Sequence, residues 1–511
     1  MWVTCGLGPY NFEFMTEVTR EIMSRYRVDA VFINRWDGSG MCWKDSVQSE
    51  AEIRLWVADG VANGLRPWFT KFSGVLHDQR WLKPVEELYR RYARWERYLR
   101  NEHPLARVGL VYSQQTAWFH GGQVEDHTLG WYQALVEARI PFEMVHDRLL
   151  DAAHLAAFKT LILPNIAALS DAQCAQLRAF VEGGGGLVAT YETSLYDEWG
   201  VRPNDFGLGG LLGVRFNASV EGRMQNSYLR LEADPATGKR HPILAGLESL
   251  KSQTHRDQVK SHPLSPPYFK DSKERGAGRR VRENMGAIRD AEDLDRPEAR
   301  LAEDAPRIIN GVRRVEVEAT QSFPNPPLTL IPSYPDLPME KVYPRVQKTD
   351  VPQVYLREVA AGPMDRKSEI SDLKSPGRVV YFPWDIDRTF WEVLAPDHFK
   401  LLRNAVVWAT NEEPLITVAG PGVLDVTVWR QRASLTVHLV NLTNPMMMKG
   451  PVRELIPVGE QQVRVRLPEG APPRQVRLLA ANKKVRGEQS GSYLSCPVPS
   501  ILDHEVVAID L

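Results

Sequence analysis

Two polar turns near the N-terminus gather carboxylates, cations, amides and indoles. Asn34-Arg35-Trp36-Asp37-Gly38 follows the apolar run Val28–Ile33. Thr70-Lys71-Phe72-Ser73-Gly74, with His77, Asp78 and Arg80 just beyond, follows the run Leu65–Phe69. Hydrolysis of a glycosidic bond needs two flanking carboxylates, one as acid and one as nucleophile or base. Asp37 and Asp78 are the carboxylates these two turns offer. Both could equally cap the following helix or pair with Arg35 and Arg80. Asn34, Arg35 and Lys71 could hold hydroxyls, and Trp36 and Trp68 could stack on the apolar face of a sugar ring.

A second polar cluster, Trp384-Asp385-Ile386-Asp387-Arg388, follows the run Val379–Phe382. Parallel α/β sheets place ligands at such strand ends, so Asp385 and Asp387 could meet a sugar or a metal. The plainer reading is an Asp–Arg lock or a subunit contact. A nucleophilic cysteine would need a sharp strand-to-helix turn flanked by glycine. Cys174 falls inside the helix that starts at Ser170, and Cys5 has Val3 where that turn needs glycine, so both read as packing residues. Amidotransferase chemistry would have to use one of them. Gly183–Gly186 lacks the Lys-Ser/Thr of a phosphate loop and reads as a turn. The four cysteines have no zinc-ligand spacing, and neither a metal nor a cofactor is expected.

These groups must be positioned by cores, and the composition supplies them. Of the 511 residues 43% are hydrophobic and 25% charged, enough for about three domains. The net charge of -1 argues against nucleic acid or an anionic membrane as the main partner. No apolar run reaches the ~18 residues of a membrane span. Met1-Trp2-Val3-Thr4-Cys5 does not open a signal peptide. The compartment is left open, with the cytoplasm as default if Met1 is the true start. Tryptophan is abundant at 14 residues, and Trp81, Trp118, Trp199 and Trp391 also stand beside polar groups.

Residues 1–103 read as repeated strand–loop–helix units. Strands are expected at Trp2–Leu7, Val28–Ile33 and Leu65–Phe69, and helices at Asn11–Tyr26, Ser49–Asn63 and Pro84–Asn101. Residues 104–413 read as a doubly wound α/β domain. Its strands are expected at Arg107–Tyr112, Pro141–Val145, Thr160–Leu163 and Leu187–Tyr191, and it resumes at Leu328–Pro332 and Val379–Phe382. Ser170-Asp171-Ala172-Gln173 fits a capping box. A charged, aperiodic insert, 251–305, reads as disordered or loosely held. Residues 414–511 alternate apolar and polar in short runs, the pattern of a β-sandwich. Met446–Met448 reads as interface packing.

Arg107–Ser113, Ile140–Val145, Lys159–Asn165, Leu169–Gln173 and Phe180–Tyr191 together resemble the β-galactosidase trimerisation domain that follows the barrel of glycoside hydrolase family 42. Gly8-Pro9-Tyr10, Asn34–Gly38 and Arg66–Phe72 resemble strand ends in the barrels of related glycosyl hydrolases of the alpha-amylase type. The resemblance implies a partial (β/α) TIM-type barrel, a flavodoxin-like, amidotransferase-like doubly wound domain and a C-terminal sandwich. It implies a carbohydrate substrate, β-galactosidase-like hydrolysis and a homo-oligomer, a trimer by analogy. The chain departs from the family in two respects. About three barrel units replace eight, with a jump near Gly40–Lys44, and no Glu follows Ile33 or Phe69 where family 42 keeps its catalytic pair. A non-catalytic sugar-binding protein or oligomer scaffold is therefore the alternative. An open barrel remnant is expected to cover its faces against the α/β domain or a neighbouring subunit.

Overall fold

The computed structural model describes residues 2–4, 32–34, 49–67, 69, 79–121, 124–247, 307–333, 349–360, 375–444, 452–468 and 470–511. The chain is mixed α/β with several sheets. Its contacts divide it into two units. One comprises Met1–Gln114, Trp131–Ile162 and Thr410–Leu511, the other Gln115–Gly130 and Leu163–Ala409.

In the first unit Trp2–Thr4 and Phe32–Asn34 pair in parallel, as a βα repeat requires. The helix Glu50–Ala62 begins at Ser49, whose hydroxyl accepts from the Glu52 N–H at 3.2 Å. Leu82–Trp95 is a second helix, amphipathic, with Val85, Leu88, Tyr92 and Trp95 on its buried stripe. The strand expected at Leu65–Phe69 is not among the described elements. There the chain closes the preceding helix instead: Gly64 takes φ +91° and the Leu65 N–H donates to the Gly60 carbonyl at 2.7 Å. Pro67 also lacks a ladder donor.

The same unit holds two further sheets that share a core. Ile416–Ala419, Gln461–Arg466, Tyr493–Val498 and Glu488–Ser490 form one sheet. The other has the order Lys483–Val485, Gln475–Leu478, His504–Asp510, Ser434–Asn441, Leu424–Gln431, His103–Pro104. Leu424, Val426, Leu435, Val437, Val463, Leu494 and Val507 are among the side chains that fill the space between the sheets. The outer face of the second sheet is covered by the two N-terminal helices. Ile53, Val57, Val61, Leu88 and Trp95 pack there with Val506. These two helices thus lie on this sheet, where the expectation had placed the remnant against the α/β domain or a neighbouring subunit. The reason is visible in Ser434–Asn441, where all eight residues are buried. Its polar alternates are satisfied within the same β region: Thr436 accepts from Gln431 at 3.3 Å, His438 contacts His504 at 3.1 Å, and Asn441 donates to the Ile456, Ile501 and Leu502 carbonyls. Thr427 and Trp429 on the neighbouring strand both donate to the Ala62 carbonyl at 2.8 Å, satisfying the last turn of the helix.

Val108–Tyr112 pairs in parallel with Phe142–His146 and with Thr160–Leu163. In the second unit Gly186–Thr190 pairs in parallel with Gly377–Phe382, whose far side carries Tyr355–Val359 antiparallel. The helix Asp171–Glu182 has the expected capping box from Ser170 and Gln173. Leu328–Ile331 does not continue the parallel sheet. It runs antiparallel to Tyr228–Leu231 in a separate three-stranded sheet with Arg307–Ile309. An apolar run of four residues cannot by itself choose its partner. The helix Asn11–Tyr26, the insert 251–305 and Met446–Met448 lie outside the described residues.

Candidate functional site

Of the N-terminal candidates, Arg35, Trp36, Asp37, Trp68, Lys71 and Asp78 lie outside the described residues. Asn34 is placed only by its backbone, opposite Thr4 in the parallel pair.

The second cluster is fully placed in the second unit, at the ends of Gly186–Thr190 and Gly377–Phe382. Trp384, Asp385 and Asp387 are completely buried and Arg388 nearly so. Asp385 accepts from the Val312 and Arg313 N–H groups at 2.9 and 3.0 Å and pairs with Arg388 at 2.8 Å. Burial pushes its carboxyl upward, opposed by the Arg388 guanidinium. Asp387 accepts from the Thr190 hydroxyl at 2.6 Å and the Arg388 N–H at 2.9 Å, and its other contact is His127 Nδ1 at 2.7 Å. The Trp384 indole donates to the Gln353 carbonyl at 2.9 Å. Each carboxylate oxygen of Asp385 and Asp387 accepts from, or is in contact with, a group of the fold itself. A carboxylate saturated by internal donors and sealed from solvent has no oxygen left for a sugar or a cation. Among the described residues no group of three His, Cys, Asp or Glu is placed to hold a metal ion.

Cys174 is buried in its helix, and burial pushes its thiol up to about 11, so it is no nucleophile. Cys5 lies outside the described residues. Trp391 sits on the helix Ile386–Val393 that the lock anchors.

An open cluster stands instead where the turns Thr116–His120 and Asp197–Val201 meet. His120 Nε2 lies 3.0 Å from Glu192, and the Tyr196 hydroxyl donates to the same carboxylate at 3.3 Å. The Glu192 N–H donates to Asn165 Oδ1 at 3.1 Å. The strand end feeding it is contorted, since Tyr191 and Ser194 take φ of 52° and 65° without being glycine. Phe119 and Trp199 meet edge to face at 5.6 Å, and Trp118 precedes Phe119 in the chain. Trp118 and Trp199 are two of the tryptophans that stand beside polar groups in the sequence. Glu192, His120 and Tyr196 escaped the sequence reading because they belong to turns with no periodicity.

Residues 106–218 match the family model of the β-galactosidase trimerisation domain. No curated protein matches the chain. Among solved structures, α-L-fucosidase isoenzyme 2 from Paenibacillus thiaminolyticus aligns with a TM-score of 0.62 at 15% identity, over 99% of this chain and 64% of that one. A β-galactosidase from Bacillus circulans sp. alkalophilus aligns at 0.56 and 12%, over 98% of this chain and 58% of that one. A β-galactosidase from Rahnella sp. R3 aligns at 0.54 and 12%, over 100% and 59%. The chain thus spans about three fifths of the length of these proteins, and at such identities the likeness is one of fold. Residues 106–218 carry the pattern of a β-galactosidase trimerisation domain, within a chain whose fold is similar to that of the α-L-fucosidase and the two β-galactosidases above.

Proposed function

We propose that this is a glycoside-hydrolase-like protein of carbohydrate metabolism, acting on a β-galactoside or similar O-glycoside where it is active. The observation that carries the reading is the trimerisation-domain match at 106–218, set in a chain aligned over nearly its whole length with glycosidases. On this reading residues 1–103 descend from a TIM-type barrel, 104–413 form the flavodoxin-like domain and 414–511 the sandwich. Asp37 and Asp78 would act as the acid and the nucleophile or base. Asn34, Arg35, Trp36, Trp68 and Lys71 would grip the sugar. The match also supports a homo-oligomer, with the trimer as its form.

A panel of aryl glycosides tests this, with Asp37→Asn and Asp78→Asn alongside. Turnover that falls at least about 100-fold in either variant is the expected result. Silence of the wild-type protein across the panel removes the hydrolase reading and leaves the alternative of sugar binding without cleavage. That alternative has one specific support, the exposed aromatic cluster around Trp199.

A further inference from the structure

Trp118, Phe119 and Trp199 are 64%, 44% and 67% exposed, and Val201 beside them is 63% exposed. Single exposed apolar residues are ordinary, but indole and phenyl rings gathered from two separate turns are not. Each indole left in water forgoes the gain of burying its apolar surface. In the same unit Tyr381, Phe382, Trp384 and Phe390 are all buried, so the fold has places for such rings.

The turns that carry the rings are held, not loose. The 197–201 turn is closed by the Asp197 N–H donating to the Val201 carbonyl at 2.9 Å. Asp197 Oδ1 accepts from the Trp199 and Val201 N–H groups, both at 2.9 Å. Gly200, at φ +75°, lies so close to the other turn that a Cβ there would fall 2.5 Å from the Phe119 carbonyl oxygen. That second turn is closed by the Gly121 N–H on the Thr116 carbonyl at 3.1 Å, and Thr116 Oγ1 in turn accepts from Ala168 at 3.1 Å. Order fixed before a ligand arrives lowers the entropy lost on binding.

Beside the rings stands a polar fork. The His120 and Tyr196 rings pack at 4.5 Å, both are half-buried, and both are tied to the buried Glu192 carboxylate. We propose that Trp118, Phe119 and Trp199, with His120 and Tyr196 oriented by Glu192, form a saccharide-binding surface on the trimerisation-like domain. A pyranose has a C–H face that lies on an indole and a rim of hydroxyls that exchange hydrogen bonds with imidazole and phenol. A phosphate-bearing ligand would meet the Glu192 carboxylate, and the centre of a protein interface is depleted of charge. The surface shares no residue with the proposed catalytic set, so its binding and the hydrolase reading fail separately.

The test is calorimetry of the full-length protein with tetrasaccharides of galactose, glucose and xylose. Each is titrated into wild type, Trp118→Ala, Trp199→Ala and Trp199→Phe, with the oligomeric state of each variant recorded. Binding of at least one tetrasaccharide, weakened at least about tenfold by both alanine changes and largely kept by Trp199→Phe, is the expected result. Binding unchanged in both alanine variants overturns the proposal. So does an absence of binding to wild type, and if Trp199→Ala then dissociates the oligomer, the surface belongs to a second copy of the chain. Hydrolysis of aryl glycosides by Trp199→Ala tells the two proposals apart, since that assay reads Asp37 and Asp78 alone.

Discussion

Asp59 is a carboxyl on the buried side of the helix Glu50–Ala62, with neither side-chain oxygen hydrogen-bonded among the described residues. Burial, and then the nearby Asp425, push its pKa well above 3.8. The folded state therefore holds a proton that the unfolded chain releases, and stability falls as pH rises above about 4. Asp59→Asn keeps the shape, and its amide can donate toward Asp425. It is expected to stabilise by about 1–3 kcal/mol at pH ~8 and by little at pH ~4, read from denaturant midpoints. An equal gain at both pH values would contradict this. The histidines beneath the same helices work in the opposite direction. Tyr92 Oη, His504 and His438 form a chain of contacts, each of 3.1 Å, with Asp503 and Arg91 at its edge. Burial, then Arg91, lowers His504 from 6.5 to about 3. Burial, then His504, also depresses His438. Here the unfolded chain binds the extra protons, so the stabilisation is complete above pH ~6.5 and is lost as pH falls toward ~3. His504→Gln should flatten that acid limb of the melting temperature. A limb as steep as wild type would place the sensitivity elsewhere.

At the scale of elements, Arg139 ties the end of the helix Val124–Ala138 to the turn before the strand Leu424–Gln431. Its guanidinium donates to the carbonyls of Val418, Gly420, Pro421 and Gly422 and to Gln461 Oε1, at 2.7–3.0 Å. An ammonium cannot span that fan of acceptors, so Arg139→Lys should cost about 2 kcal/mol or more in chemical denaturation. Gly130 shows the tightest approach among the described glycines. A Cβ there would lie 2.0 Å from the Asp387 carbonyl oxygen. Gly130→Ala must push apart the Val124–Ala138 helix and the Asp385–Arg388 lock. Its expected loss is about 3 kcal/mol, seen as a lower melting temperature or as insoluble protein. A neutral result would mean that the helix can slide. The capping box at Ser170 was readable directly, because its signal is local and four residues long. The turns at Thr116–His120 and Asp197–Val201 were not, because what joins them is a contact across about 80 positions of chain.

For the whole molecule, the trimerisation-domain match gives a prediction about assembly. Sedimentation of the full-length protein should show a concentration-dependent trimer, and a monomer at all concentrations would remove that part of the proposal. Composition and order of elements carried the mixed α/β architecture and the terminal sandwich, since alternation and continuous apolar runs are properties of the strand itself. They could not say which face met which neighbour. Thr427, Thr436, His438 and His504 alternate with apolar residues just as solvent-facing residues would. In the structure Thr436, His438 and His504 are buried and Thr427 is half-buried, on the sheet face that two helices more than 300 residues away in sequence cover.

The sequence alone carried the helices Glu50–Ala62 and Asp171–Glu182, the parallel strands Val108–Tyr112, Phe142–His146, Thr160–Leu163 and Gly186–Thr190, and the two-residue rhythm of residues 414–511, because each is written in neighbours a few positions apart. Only the tertiary structure decided that Asp385 and Arg388 close on each other, that the N-terminal helices roof the sandwich, and that Trp199 stays in water beside Phe119. Burial and partnership depend on residues far apart in the chain, and no local spacing encodes them.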